Sequence, residues 1–206
     1  MLDLEQQGAH NINLVTPTHY SDQLLPLLER ARPRLGIPFV WNSNGYEKPA
    51  TLRRFEGLVS VWLPDLKYSD DSLARRFSSA PDYFRHASAA IIEMKRQAGP
   101  NRFSADGTLQ RGMIVRHLVL PGQIGNTLGV LDWLRAELGS GTLVSLMAQY
   151  YPTHRAAELP GMDRRLSPAE YATVRDHFES LGFEQGFIQQ LDSASRDYTP
   201  DFSAGE

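Results

Sequence analysis

A few polar residues set in or just after apolar runs are the ones whose types and spacing suit chemistry. Asp65 and Lys67 close the run Val59-Ser60-Val61-Trp62-Leu63-Pro64. In a strand, alternate side chains share a face, so Val59, Val61, Leu63, Asp65 and Lys67 fall together. Opposite charges at a strand end either pair with each other or hold the two polar ends of a ligand. Arg116 sits inside Met113-Ile114-Val115-Arg116-His117-Leu118-Val119-Leu120. Neighbouring strand residues point to opposite faces, so only one of Arg116 and His117 faces a functional side. An unpaired charge in a strand interior is costly. Arg116 therefore calls for an anionic partner, either a protein carboxylate or a ligand. Asn42 and Asn44 share one face of another strand end, just before Gly45. Their amides suit either ligand contact or turn formation.

Other chemistries find less support. The histidines are His10, His19, His86, His117, His154 and His177, and no two have a local metal-ligand spacing. His19, Asp65 and His154 can converge only through the fold, which would give a metal-dependent hydrolase. His86 and His177 lie in helical patterns and read as surface or helix-packing residues. Gly122-Gln123-Ile124-Gly125-Asn126 before a helix is a weak phosphate-binding signal. Gly-x-Gly-x-x-Gly, P-loop and Gly-x-Ser-x-Gly patterns are absent. The 206 residues include no cysteine. Disulfides, thiolate zinc sites, thiol nucleophiles and self-supplied iron–sulfur ligation are thereby excluded. A net charge of −3 lacks the footprint of a nucleic-acid binder. No apolar run is long enough to cross a bilayer, and Met1-Leu2-Asp3-Leu4-Glu5 has no signal-peptide pattern. The expectation is one cytoplasmic domain over 1–206, without nucleic-acid or membrane partners.

The elements that must position these residues alternate strand with helix. Strands are expected over 11–16, 39–44, 59–65, 113–120 and 143–150, with a last strand-like run over 186–191. Ser21 is expected to cap a helix carrying Leu24, Leu25, Leu28 and Leu35, shortened or kinked by Pro26 and Pro33. A short helix is expected over 49–55. Two helices are expected over 70–98, with Pro81 in a first turn. Asp106-Gly107 predicts a hairpin turn ahead of the 113–120 strand. Ile124, Leu128, Leu131, Leu134 and Leu138 have helical spacing, and Ser167-Pro168-Ala169-Glu170 forms a capping box before another helix. Alternation of this kind makes a parallel α/β sheet, open or part of a barrel, with function at the C-terminal strand ends.

Those strand ends resemble radical S-adenosylmethionine proteins of the type similar to pyruvate formate-lyase activating enzyme. The resembling segments are 8–19, Trp41-Asn42-Ser43-Asn44-Gly45-Tyr46, Leu63-Pro64-Asp65-Leu66-Lys67-Tyr68, 111–122 and 145–152, with 191–195 and Pro200-Asp201-Phe202 at the end. The resemblance implies a partial (β/α)6-type barrel whose first strand precedes residue 1. It implies that Asp65, Lys67 and Arg116 line the lumen and contact S-adenosylmethionine, with Asn42 and Asn44 nearby. His117 then turns outward to the helix layer.

In that family a Cys-x-x-x-Cys-x-x-Cys loop binds a [4Fe–4S] cluster, and reductive cleavage of S-adenosylmethionine yields a 5′-deoxyadenosyl radical. No cysteine here supplies such a loop. The chain is therefore expected to be a fragment or remnant truncated before the second strand, inactive alone and at most a weak binder of S-adenosylmethionine, without a cluster. A partner chain would supply the first strand and the cysteine loop, or the open edge would self-associate, and a glycyl-radical protein is the implied target. A non-catalytic binding or assembly module on the same scaffold is the alternative reading, ahead of the hydrolase.

Overall fold

A computed structural model describes residues 1–191 of the chain. The sequence-based readings at 192–195 and 200–202 lie outside the described residues. The elements run α1 (Leu2–Gln6), β1 (Ile12–Val15), α2 (Ser21–Ala31), β2 (Phe39–Ser43), α3 (Pro49–Arg53), β3 (Val61–Pro64), α4 (Asp71–Ser78), α5 (Tyr83–Ala98), β4 (Arg102–Phe103), β5 (Leu109–Leu118), α6 (Ile124–Leu138), β6 (Leu143–Met147), α7 (Pro168–Ser180) and β7 (Gly186–Ile188).

Six strands form one parallel path in the order β1-β2-β3-β5-β6-β7, and the short β4 pairs antiparallel with β5. The end strands β1 and β7 do not meet, so the sheet stays open. This is the mixed α/β, part-barrel architecture that strand–helix alternation requires.

Alternation along each strand separates two faces. Trp41, Trp62, Met113, Val115, Val144 and Leu146 are buried on one face. Trp41 lies 4.5 Å from Phe55 and 5.9 Å from Trp62, ring centre to ring centre. From the helices this core receives Leu28, Leu52, Ile91, Met94, Leu131, Leu134, Val174 and Phe178. Each such side chain contributes about 1.5–3 kcal/mol by leaving water. Asn42, Leu63, Asp65, Arg116 and Ser145 alternate with the core residues and remain partly accessible on the opposite face. The register aligns Asn42 with Leu63, Asp65 with Arg116, and Arg116 with Ser145.

Three local expectations change. Ser21 begins α2 rather than capping it: a 3-10 turn over Pro17–Tyr20 leads in, and Tyr20 at the cap position makes no side-chain bond. The apolar pattern that reaches Leu35 stays α-helical only to Ala31, with Pro26 inside it, and Pro33 sits in the 3-10 turn that follows. Pro81 stands two residues ahead of α5, because Asp82 adopts a left-handed conformation before Tyr83 opens the helix. The hairpin does form, with Asp106 accepting from the Thr108 amide at 3.0 Å across a loop from 104 to 108.

The capping box of α7 does more than start a helix. Glu170 accepts from the Ser167 amide at 2.9 Å and from the Gly122 amide at 2.7 Å, and Arg164 grips both its oxygens at 2.7 Å. Arg164 and these amides hold its carboxyl well below the usual carboxylate range. One side chain thus ties the loop after β5 to the start of α7. Glu170→Ala is expected to destabilise the protein by about 2 kcal/mol. It should also speed hydrogen exchange at the Gly122 and Ser167 amides, and unchanged exchange at both would refute the latch.

Candidate ligand-binding site

β3 ends at Pro64, and the chain continues straight beside β5 for another residue. The Asp65 amide donates to the Ser43 carbonyl at 2.8 Å, and the Leu66 amide donates to the Arg116 carbonyl at 2.9 Å. This continuation puts Asp65 directly across from Arg116 on the open face. Arg116 Nη2 lies 2.7 Å from Asp65 Oδ1 and donates to Asn42 Oδ1 at 2.7 Å. Lys67 Nζ lies 3.5 Å from Asp65 Oδ2. The side chains of Asp65 and Arg116 are only 17% and 25% exposed, against 43% for Lys67. The structure therefore brings Asn42, Asp65, Lys67 and Arg116 together from three neighbouring strands. The anion that Arg116 requires is a protein carboxylate, that of Asp65 just past the end of β3.

The cluster is incompletely satisfied. Arg116 Nε is buried and has no hydrogen-bond partner among the described residues. Asp65 Oδ1 meets Arg116 as a close ion pair without an in-line hydrogen bond. A buried donor left unpaired costs about 1–3 kcal/mol. Such a donor beside a polarised carboxylate is suited to an incoming acceptor.

Asn44 is placed apart from that cluster. Its side chain is exposed and accepts from the Tyr46 amide at 3.0 Å, closing a turn. It also lines a cavity of about 190 Å³ together with Lys67, Tyr46 and Tyr83.

His117 takes the helix side, opposite to Arg116. It is fully buried, with Nδ1 2.6 Å from the Leu66 carbonyl and Nε2 2.9 Å from Thr127 Oγ1 on α6. Burial depresses its pKa to about 4, so it is neutral at pH 7. Nδ1–H then donates to Leu66, and Nε2 accepts from the Thr127 hydroxyl. β5 thus holds the 65–67 segment from both faces, Arg116 through Asp65 and His117 through the backbone of Leu66.

Two further residues, Tyr83 and Asn126, support this segment. The buried Tyr83 hydroxyl donates to the Asn44 carbonyl at 2.9 Å, lies 3.2 Å from the Asp65 carbonyl, and accepts from the Lys67 amide at 3.0 Å. Burial pushes its phenol up, so the hydroxyl stays protonated. Asn126 Nδ2 donates to the Lys67 carbonyl at 3.0 Å, and its Oδ1 accepts from the Ser69 amide at 2.8 Å. Tyr83 reads as a core aromatic by position, and it does pack on Tyr68 at 5.4 Å. Asn126 sits inside the glycine stretch weighed for phosphate. There the Gly122 amide is committed to Glu170 and the Asn126 amide to the Gln123 carbonyl.

The remaining histidines behave as packing residues or stay apart. His177 Nε2 meets Asp132 at 2.7 Å between α7 and α6, and His86 stands edge-on to Tyr46 at 5.3 Å. Among the described residues no three His, Asp or Glu side chains are placed to hold a metal ion. His19, Asp65 and His154 therefore do not assemble the hydrolase centre that their residue types allowed. Among the described residues no helix is long and apolar enough to cross a membrane.

An open parallel α/β sheet with a polar cluster at its C-terminal strand ends defines the class: an α/β scaffold of the partial-barrel type. Known proteins agree at the level of fold. The structure is similar to a crystallised domain of pyruvate-formate lyase-activating enzyme from Bacteroides vulgatus, with a TM-score of 0.60. That match covers 87% of this chain and 98% of the other at 14% identity. In sequence, the chain is 30% identical over 165 residues to the uncharacterized protein MJ0674 of Methanocaldococcus jannaschii. The alignment spans 79% of this chain and 44% of that protein, so the chain matches less than half of the relative's length. No protein-family model matches.

Proposed function

We propose that this chain is the S-adenosylmethionine-holding portion of a radical S-adenosylmethionine barrel of the pyruvate formate-lyase activating type. The observation that carries the reading is the buried Arg116 Nε, without a partner among the described residues, beside Asp65 and Asn42. The amino-acid end of S-adenosylmethionine has a carboxylate and an ammonium. Arg116 offers a donor to the first, and Asp65 offers an anion to the second. Asn42 fixes the guanidinium, and Lys67 adds positive charge at the outer edge. Asn44 contributes to the adjoining cavity that it shares with Lys67. The part-barrel fold shared with the activating-enzyme domain supports this placement.

A [4Fe–4S] cluster does not fit the residues present, because the chain has no cysteine to ligate it. In this reading the thiolates come from polypeptide outside these 206 residues, and a glycyl-radical protein is the target of the whole assembly. What Asp65, Lys67 and Arg116 do here is bind and orient.

Calorimetric titration of the 206-residue protein with S-adenosylmethionine tests this. Weak binding is expected, reduced about tenfold or more by Arg116→Ala and by Asp65→Ala, since each removes a charge-assisted contact. Binding unaffected by both changes would overturn the seat. No heat of binding at millimolar ligand would overturn the reading for this chain.

One observation favours an assembly role beside it. Ile12 and Thr16 donate toward β2, so the alternating Asn13 and Val15 turn their backbone groups to the open edge of β1. Val15 is 68% exposed there. Such an edge accepts another strand, from a partner chain or a second copy. Light scattering behind size exclusion should show dimers that Val15→Lys or Asn13→Pro returns to monomer. A monomer at every concentration removes the self-association branch.

A further inference from the structure

A second cavity, of about 280 Å³, has a different character from the polar cluster. Its lining includes Tyr68, Phe77, Leu120, Tyr150, Leu159 and Met162. Tyr68 is the residue after Lys67, and Leu120 lies four residues beyond Arg116, so the cavity opens at the same end of the sheet. Its polar tips are turned to other work. The Tyr68 hydroxyl meets Ser78 Oγ at 2.8 Å, and the Tyr150 hydroxyl donates to the Met162 carbonyl at 2.7 Å. At the rim, Arg155 is paired with Glu158 at 2.7 Å. Thr153, His154 and Arg155 add polar edges, while most of the lining surface offers a guest aromatic ring and aliphatic groups. An enclosed, dry cavity of about 150 Å³ lined by aliphatic and aromatic side chains takes a benzene ring. The larger volume here suits a substituted six-membered or a bicyclic ring.

We infer that the cavity formed by Tyr68, Phe77, Leu120, Tyr150, Leu159 and Met162 binds a flat, uncharged aromatic group of the substrate. This rests on the reading of the Asp65–Arg116 cluster as the S-adenosylmethionine seat, and it narrows the substrate to one with an aromatic side group. The same ring chemistry is offered by a nucleobase, so the two sources are separated in the test.

The probe is indole, titrated into protein whose methionine methyl groups are ¹³C-labelled. Met162 faces the cavity, whereas Met94 is buried in α5 away from it and serves as control. The expected result is a saturable shift of the Met162 methyl with Met94 unmoved. Leu159→Trp and, independently, Ala156→Phe should fill the space and weaken indole at least tenfold. Arg116→Ala should leave indole binding unchanged while it weakens S-adenosylmethionine. An unmoved Met162 methyl overturns the inference, as does an affinity untouched by both filling variants. Displacement of indole by adenosine gives the cavity to the nucleobase and overturns its assignment to substrate. Indole binding by a protein that takes no S-adenosylmethionine overturns the seat and the substrate assignment with it, while the aromatic cavity stands.

Discussion

Gly45→Ala is expected to destabilise the protein by about 3 kcal/mol and to shift the strand end that carries Asp65. Two costs combine at this position. The backbone has φ +76°, a conformation that costs an L residue about 1–2 kcal/mol. An alanine Cβ would also lie 2.3 Å from the Asp65 carbonyl oxygen, a backbone atom that cannot step aside cheaply. That carbonyl lies 3.2 Å from the Tyr83 hydroxyl, which also anchors Asn44 and Lys67. Relief of the clash therefore shifts the strand end that carries Asp65. Gly57 separates the two costs, because its φ is +80° and a Cβ there meets nothing within 4 Å. Gly57→Ala should lose only the backbone part, about 1 kcal/mol. Urea unfolding of both variants decides it: equal losses would mean that Gly45 is needed for its dihedral alone.

The same contact marks the limit of what the sequence makes legible. Asp65, Lys67 and Arg116 stand out because charges in apolar runs are conspicuous, and period two assigns their face without coordinates. Their meeting with Asn42 depends on strand order and register, which the alternating pattern implies only as a class of sheet. The supports are a different matter. Tyr83, Asn126 and Gly45 act through backbone carbonyls and amides of residues tens of positions away. A backbone acceptor has no residue type, so no spacing rule points at it. Asn44 shows the converse: strand parity put it on the face of Asn42, but the strand ends at Ser43 and a turn takes its amide. Regular apolar spacing places α6 well. The starts of α2 and α5 fall a residue or two from the expected positions, where a 3-10 turn and a left-handed Asp82 reset the phase.

Stability should fall as the pH drops from about 6.5 toward 4, and His117 should account for most of the loss in that window. An unfolded chain protonates this imidazole near 6.5, whereas the folded one resists until about 4. Between those values the unfolded state holds more protons, so acid favours unfolding. Above 6.5 the contribution is complete, and below 4 it changes no further. The gap corresponds to about 3 kcal/mol in all, and to about 2 kcal/mol between pH 7 and pH 5. Solvent screening takes little from this, because the side chain is fully buried. The paired carboxylates contribute at lower pH, since Arg96 and Arg164 hold Glu93 and Glu170 below the ordinary range. His117→Gln should be less stable than the parent at pH 7, having lost the contacts to Leu66 and Thr127. Its stability should then be nearly flat from pH 7 to pH 5. Urea midpoints at the two pH values test this, and a parent protein equally stable at both would refute it. The Leu66 carbonyl that His117 holds lies between Asp65 and Lys67. The folded protein keeps His117 neutral down to about 4, so this hold, and the cluster geometry on the other face of β5, should stay unchanged across the window in which stability falls.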